Sequence, residues 1–318
     1  MRVLSCDGVA KEAVDMLKEA GHEVIEAEPT PEELESFIGG FDAVIVRSKS
    51  KVTASVIDKG ARLKVIARAG IGVDNIDVSK ATDRGIPVVN APTGSTNSVA
   101  ELSLALMLAL ARNISWADRT MKEGRWEKKK LKGLEIDGKT LGLVGVGRIA
   151  QCLAAKAQAL GMRTIGYDPY IPQEVASGAG VELKDLESVL RESDYISLHV
   201  VLTDETRGLI GEEQIAIMKP SACIINCSRG GVVDESVLFS ALSEKRIRGA
   251  ALDVFGKEPP VDSPLLKLEN IILSPHIGAS TKEGQNRAGT IVVEQVLMVL
   301  EGRKPQYLVN TELPGKWG

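Results

Sequence analysis

Along the first ninety residues, short apolar runs alternate with stretches whose apolar positions recur at helical spacing. Val3-Leu4, Val24-Ile25, Ala43-Val44-Ile45-Val46, Val65-Ile66-Ala67 and Pro87-Val88-Val89 read as strands. Val14-Asp15-Met16-Leu17 lies in a helix that Gly21 can stop. Thr30-Pro31-Glu32-Glu33 combines a capping box with proline at the first helical position. Strands that alternate with helices imply parallel pairing with helices on both faces. Residues 98–113 are apolar on nearly every side, so this helix should be buried, between domains or between subunits. A second α/β unit begins at Lys139-Thr140-Leu141-Gly142-Leu143-Val144 and runs to about His276. A final helix is expected around residues 291–300, followed by a polar tail with Pro305 and Pro314. No Pro/Gly/Ser-rich linker separates the units, which are therefore expected to share interdomain helices.

Length and composition narrow the field. A chain of 318 residues fits two domains of roughly 150 residues each. With 44% hydrophobic and 26% charged residues the chain can bury a core, which excludes general disorder. A net charge of -4 with only 3% aromatic residues supplies neither a basic face nor stacking platforms, so no nucleic-acid partner is expected. The longest apolar run, residues 104–111, is far short of the ~20 residues a membrane span needs, and no signal-peptide core follows Met1. Cys6, Cys152, Cys223 and Cys227 are scattered, without a C-x-x-C pair or a histidine cluster. They read as reduced thiols of a cytoplasmic protein that holds no metal.

The first chemistry is a cofactor site. Gly145-Val146-Gly147-Arg148-Ile149-Ala150 follows a predicted strand and opens a predicted helix over residues 148–160, which is the G-x-G-x-x-G/A fingerprint. The first glycine permits the tight turn, the second lets the backbone approach a pyrophosphate, and the exposed amides bind its oxygens. A further strand, Thr164-Ile165-Gly166-Tyr167, ends in Asp168, where a ribose-binding carboxylate should stand. Pro169 and Tyr170 follow with no Arg or Lys for a 2′-phosphate, so NAD is favoured over NADP. Gly70 and Gly72 lack the strand–turn–helix context and are not a second fingerprint.

Four further segments carry a resemblance: residues 68–75 (RAGIGVDN), 226–231 (NCSRGG), 252–259 (LDVFGKEP) and 274–281 (SPHIGAST). In order and spacing the chain resembles the D-isomer-specific 2-hydroxyacid dehydrogenase family to about residue 310. The resemblance implies an α/β fold of two domains, a Rossmann-type doubly wound cofactor domain inserted in a flavodoxin-like substrate domain. The expected boundaries are 1–94 with 283–318 for the substrate domain and 95–282 for the NAD domain. It further implies a catalytic set of His276 as acid/base, Glu258 as its carboxylate neighbour and Arg229 as the grip on the substrate carboxylate. The chemistry agrees: an imidazole with its ordinary pKa of about 6.5 suits proton transfer near neutrality. Arg229, His276 and the amides of Ala69, Gly70 and Ile71 are thereby expected at the substrate. Gly145, Gly147, Arg148, Ile149, Asp168, His199, Ser228, Asp253, His276 and Gly278 are expected at NAD, with Asp253 orienting the nicotinamide carboxamide. His199 reads equally as a structural residue. Three departures stand out: Ala150 in place of glycine, Val200-Val201-Leu202 without the usual proline, and Ser228 in place of alanine.

Residues 46–53 (VRSKSKVT) and 124–130 (GRWEKKK) are similar to segments of those family members that oxidise 3-phosphoglycerate at the entry to serine biosynthesis. Arg47 is the candidate phosphate contact, while Lys128, Lys129 and Lys130 read equally as a solvated basic face. Glyoxylate, hydroxypyruvate or D-lactate remain alternative substrate types, and an NAD-sensing corepressor-like binding protein is the non-enzymatic alternative. Glu258 argues against formate dehydrogenation, since those relatives carry glutamine there. The resemblance implies a short form without a serine-sensing C-terminal domain. The apolar helix at 98–113 implies a homodimer or a dimer-based tetramer.

Overall fold

The computed structural model describes residues 1–313; residues 314–318, with Pro314 of the expected tail, lie outside the described residues. The chain divides into two compact units, Met1–Thr96 with Ala279–Gly318, and Asn97–Gly278.

In the first unit, β1 (Arg2–Cys6), β2 (Glu23–Ala27), β3 (Ala43–Val46), β4 (Val65–Arg68) and β5 (Val88–Asn90) form one parallel sheet in the order β2-β1-β3-β4-β5. That is the flavodoxin-like order. The uninterrupted apolar run of β3 follows from burial on both faces, which removes the need for polar alternation. Val3, Ala43, Ile45 and Val65 point toward the helices Lys11–Glu19 and Lys282–Leu300, meeting Val14, Leu17, Val292 and Val296. Leu4, Val44, Val46 and Ile66 pack on the other side against Leu34, Ile57 and Ala81. The capping box at Thr30 forms as its sequence requires, with Thr30 Oγ1 accepting from Glu33 N and Glu33 Oε2 accepting from Thr30 N.

The stretch expected to be a plain polar tail is instead structural. Val309 N donates to Val88 O at 2.8 Å, and Leu308 bridges Val89 in antiparallel sense. Asn310, only 1% exposed, accepts from Val88 N through Oδ1 and donates through Nδ2 to Ile86 O and Thr82 Oγ1. The edge of β5 needs partners for its main-chain groups, and Leu308 and Val309 supply apolar cover that proline and charge nearby conceal in the sequence.

In the second unit, β6 (Thr140–Val144), β7 (Arg163–Tyr167), β8 (Glu182–Leu183), β9 (Tyr195–Leu198), β10 (Cys223–Asn226), β11 (Gly249–Leu252) and β12 (Ile271–Leu273) are parallel in the order β12-β11-β10-β9-β6-β7-β8. The order reverses between β6 and β9, and such a switch point opens a crevice at the carboxyl ends of the strands. The helix Arg148–Ala159 buries Leu153, Ala154 and Ala157 in one of the unit's two cores.

The helix Thr96–Arg112 buries Val99, Ala100, Leu106, Met107 and Leu110 in the same core, but it is not enclosed. Leu108 is 37% exposed, and beyond the left-handed Asn113 the next helix, Ile114–Lys122, turns by 66° and exposes Ile114 at 56%. Within a single chain one face of this apolar stretch is therefore left uncovered. Among the described residues no single helix is long and apolar enough to cross a membrane.

Replacing Asn310 by alanine should leave Val88 N and Ile86 O buried without partners. At about 1–3 kcal/mol for each stranded group, urea unfolding should show a loss of roughly 2–4 kcal/mol. A loss below about 1 kcal/mol would show that the clasp contributes little.

Candidate active site

The turn after β6 is built for close approach. Gly145 adopts φ +83°, and a Cβ there would stand 2.7 Å from His199 O. Only glycine combines that backbone with that neighbour. Gly147 caps the helix Arg148–Ala159, and nothing lies within 4 Å of where its Cβ would be. Open space in front of helix-start amides fits a pyrophosphate. Ala150 is fully buried, so the small third fingerprint residue serves helix–strand packing. Arg148 is exposed and Ile149 half-buried.

Asp168 stands at the end of β7 and ties two loops together. Its Oδ2 accepts from Val146 N at 2.8 Å, and its Oδ1 accepts from Tyr170 N and Ile171 N at 2.9 and 3.2 Å. The carboxylate thus staples the glycine turn to its own loop. His199 follows β9; its N donates to Val144 O at 2.7 Å and its Nε2 lies 2.9 Å from Ser197 Oγ. The residue is half-buried, and burial lowers its pKa to about 4, which keeps the imidazole neutral at pH 7.

Three neighbouring strand ends carry the expected proton and anion groups. Asn226, closing β10, is buried; its Oδ1 accepts from Ser228 N and Ser228 Oγ, and its Nδ2 donates to Arg229 O. Arg229 Nη1 in turn donates to Ser228 O at 2.7 Å. The loop then passes so close to the next one that a Cβ on Gly230 would lie 1.8 Å from Phe255 O. That next loop carries Glu258, whose Oε1 accepts from Phe255 N at 3.1 Å and whose Oε2 meets His276 Nδ1 at 2.8 Å.

His276 sits at φ +54°, a strained conformation for a histidine. Asp253, 1% exposed at the end of β11, holds that turn: Oδ1 accepts from Ser274 Oγ and Ile277 N, and Oδ2 accepts from Gly278 N at 2.7 Å. The sequence leads one to expect Asp253 at the nicotinamide carboxamide and Gly278 at NAD; within the chain the two are also hydrogen-bonded to each other, and Asp253 clamps the turn that carries His276. The side chains of His276 and Glu258 are 47% and 38% exposed, so the pair is open to a ligand.

Arg47 and residues 69–71 lie in the first unit, at the carboxyl ends of its strands. Arg47 follows β3, and its Nη1 donates to Asp7 O and Gly8 O at 3.3 Å. Of the expected trio of amides at residues 69–71, two are engaged within the chain. Ala69 N already donates to Val46 O, and Gly70 N to Arg68 O, because the backbone turns tightly on leaving β4. Ile71 N has no acceptor among the described residues. Sequence reasoning named Arg68 only as part of a motif; its guanidinium folds across Gly70, which has no side chain to block it. In the second unit, Lys128–Lys130 is an exposed 3-10 turn, with Lys130 near Glu127. The cues that were missed are Asp7 and Asn75, which hold the Arg47 loop; Asp7-Gly8 directly after a strand is a turn signal that could have drawn attention to the first.

Residues 104–278 match the model of the D-isomer specific 2-hydroxyacid dehydrogenase NAD binding domain. The chain belongs to the D-isomer specific 2-hydroxyacid dehydrogenase family. It is 53% identical, over 98% of its length, to a D-3-phosphoglycerate dehydrogenase of Methanocaldococcus jannaschii, and covers 59% of that protein. It is 48% identical to a hydroxypyruvate reductase of Thermotoga maritima, covering 94% of this chain and 98% of the other. A crystal structure of a Thermus thermophilus protein superposes with a TM-score of 0.87 at 37% identity, over 97% of this chain and all of that one. The chain thus spans about three-fifths of the length of the phosphoglycerate dehydrogenases it matches. As a member of this family it takes NAD as cofactor, and the fingerprint turn with Asp168 is where this chain's own residues fit that molecule.

The neutral His199 should make the fold sensitive to acid. Its folded pKa of about 4 lies below the unfolded value near 6.5, so the unfolded chain binds the extra proton first as pH falls. Stability is therefore lost progressively from about pH 6.5 down to about pH 4. Between pH 7 and pH 5 the parent should lose up to about 2 kcal/mol more than His199→Gln in urea titrations. Parallel losses in the two proteins would refute the assignment.

Proposed function

We propose that this chain oxidises a D-2-hydroxy acid to the 2-oxo acid with NAD, and that the acid is 3-phosphoglycerate. The observation that carries the reaction class is the 2.8 Å contact between His276 Nδ1 and Glu258 Oε2, on a turn held rigid by Asp253. NAD, when bound, supplies the hydride acceptor. His276 takes the substrate hydroxyl proton on Nε2, while Glu258 fixes the ring and stabilises the imidazolium. Arg229, oriented through Ser228 O and the Asn226 bracket, neutralises the substrate carboxylate and the polarised carbonyl oxygen. Arg47 binds the phosphate and Ile71 N supports the carboxylate. Ser228 stands where the backbone turns toward the cofactor.

The substrate rests on the 53% identity to a protein named D-3-phosphoglycerate dehydrogenase and on Arg47 at a strand end. The 48% identity to a hydroxypyruvate reductase, matched over nearly its whole length, supports reduction of hydroxypyruvate as the second reading. Activity on 3-phosphoglycerate would place the chain at the first step of serine biosynthesis. A panel of 2-hydroxy and 2-oxo acids with NAD and NADH decides between the two. His276→Ala should lower turnover about 10²–10⁴-fold on the preferred acid while leaving NADH affinity within about threefold. Near-normal turnover, or an equal collapse of NADH binding, would remove His276 from the proton-transfer role.

We further propose a homodimer, alone or paired into a tetramer, in the cytoplasm, where the four free cysteines stay reduced. A cleft of about 750 Å³, lined by Leu110, Trp116, Leu242, Ile247 and Ile272, opens beside the exposed Leu108 and Ile114 on the same two helices. A two-fold axis lets knob and cleft serve each other on both copies. Light scattering at micromolar concentration should give a dimer or larger for the parent and a smaller species for Leu108→Glu combined with Ile114→Glu. A parent that runs as a stable monomer would overturn the assembly.

A further inference from the structure

Asp7 spends its carboxylate in an unusual way. It lies immediately before Gly8 at the end of β1, with φ +62°, a region that non-glycine residues enter only when other contacts hold them there. Its Oδ2 accepts from Arg47 N at 2.8 Å and Ser50 N at 3.0 Å, and its Oδ1 accepts from Ser50 Oγ at 2.6 Å. From the opposite side, Asn75 Nδ2 donates to Arg47 O at 2.9 Å and Ser50 O at 2.6 Å. The loop over residues 47–50 is therefore fixed at both ends by two side chains from elsewhere in the sequence.

The consequence falls on the Arg47 guanidinium. Its Nη1 rests on the carbonyl oxygens of Asp7 and Gly8, not on a carboxylate. Among the described residues no acceptor meets Nη2 or Nε, the edge that pairs bidentately with an oxyanion. Had the Asp7 carboxylate turned to the guanidinium, it would have filled that fork and cancelled its charge. Because the carboxylate is committed to loop amides and the Ser50 hydroxyl, the fork stays open.

We propose that Asp7, with Asn75 as the second anchor, is a positioning residue that sets preference for a phosphorylated acid by holding Arg47 with its anion-binding edge open. The proposal rests on the reading of Arg47 as the phosphate contact and deepens it: selectivity resides in the clamp as well as in the arginine.

The test compares kcat/KM for 3-phosphoglycerate and for D-glycerate, at saturating NAD, in the full chain. Asp7→Ala should lower the ratio of the two by about tenfold, through the phosphorylated acid alone. Asp7→Asn should recover the ratio to within about threefold, since its Oδ1 can accept from both amides and its Nδ2 can donate to Ser50 Oγ. In the Arg47→Ala background, Asp7→Ala should change the ratio no further, the mark of a residue that acts through another. An unchanged ratio in Asp7→Ala, an equal loss on both acids, or additive losses in the double variant each overturn the clamp. If Arg47→Ala itself leaves the ratio intact, the reading of Arg47 falls, and that result is separate from any clamp result. Should Asp7→Ala fail to fold, Asn75→Ala carries the same comparison from the other side, with the same outcomes deciding it.

Discussion

Every strand pair in both sheets runs parallel, and that single constraint determines where chemistry can occur. Parallel strands share a direction, so each sheet gathers all its departing loops on one rim. Asp7, Arg47 and Arg68 leave β1, β3 and β4 on the rim of the first sheet. Gly145, Asp168, His199, Arg229, Asp253 and His276 leave β6, β7, β9, β10, β11 and β12 on the rim of the second. Side chains far apart in sequence become neighbours because hydrogen-bonded strands bring their ends into register.

Bringing loops together is not the same as holding them still. That task falls to buried or half-buried carboxylates, each of which accepts several donors, at least one of them from a loop other than its own. Asp253 holds the His276 turn, Asp168 ties the glycine turn to its own loop, and Asp7 holds the Arg47 loop. A charged acceptor makes shorter and stronger bonds to N–H than a neutral one, so a single side chain can stabilise a strained backbone such as that of His276. Glu258 differs: one oxygen is anchored on Phe255 N, and the other remains for the imidazole.

Much of this was legible in the sequence wherever the signal is local. The strand–helix alternation, the capping box at Thr30 and the fingerprint at Gly145 each depend on residues within a few positions of one another. The carboxylate staples are not local: Asp253 and Gly278 lie 25 residues apart, and Asp7 and Arg47 lie 40 apart. Periodicity carries no trace of such pairs. For the same reason residues 307–310 read as a tail, since nothing near them shows that β5 lacks an edge partner. Nor does the apolar stretch at 98–113 reveal which of its faces a single chain leaves uncovered, and the two main-chain amides of Ala69 and Gly70 could not be seen to be already engaged.

The first unit is interrupted in sequence, and this has a consequence for how the chain is made. Val3, Ala43, Ile45 and Val65 need Val292 and Val296 of the helix Lys282–Leu300, yet the whole of Asn97–Gly278 is synthesised in between. At roughly 5–20 residues per second, a ribosome needs on the order of ten seconds or more to deliver that helix. Through that interval the sheet face that the helix Lys11–Glu19 covers only in part presents its remaining aliphatic surface to water. Meanwhile the inserted unit has all its own strands in hand and can fold first. In a nascent chain of this architecture the first core is therefore completed only after every strand of the second has been made.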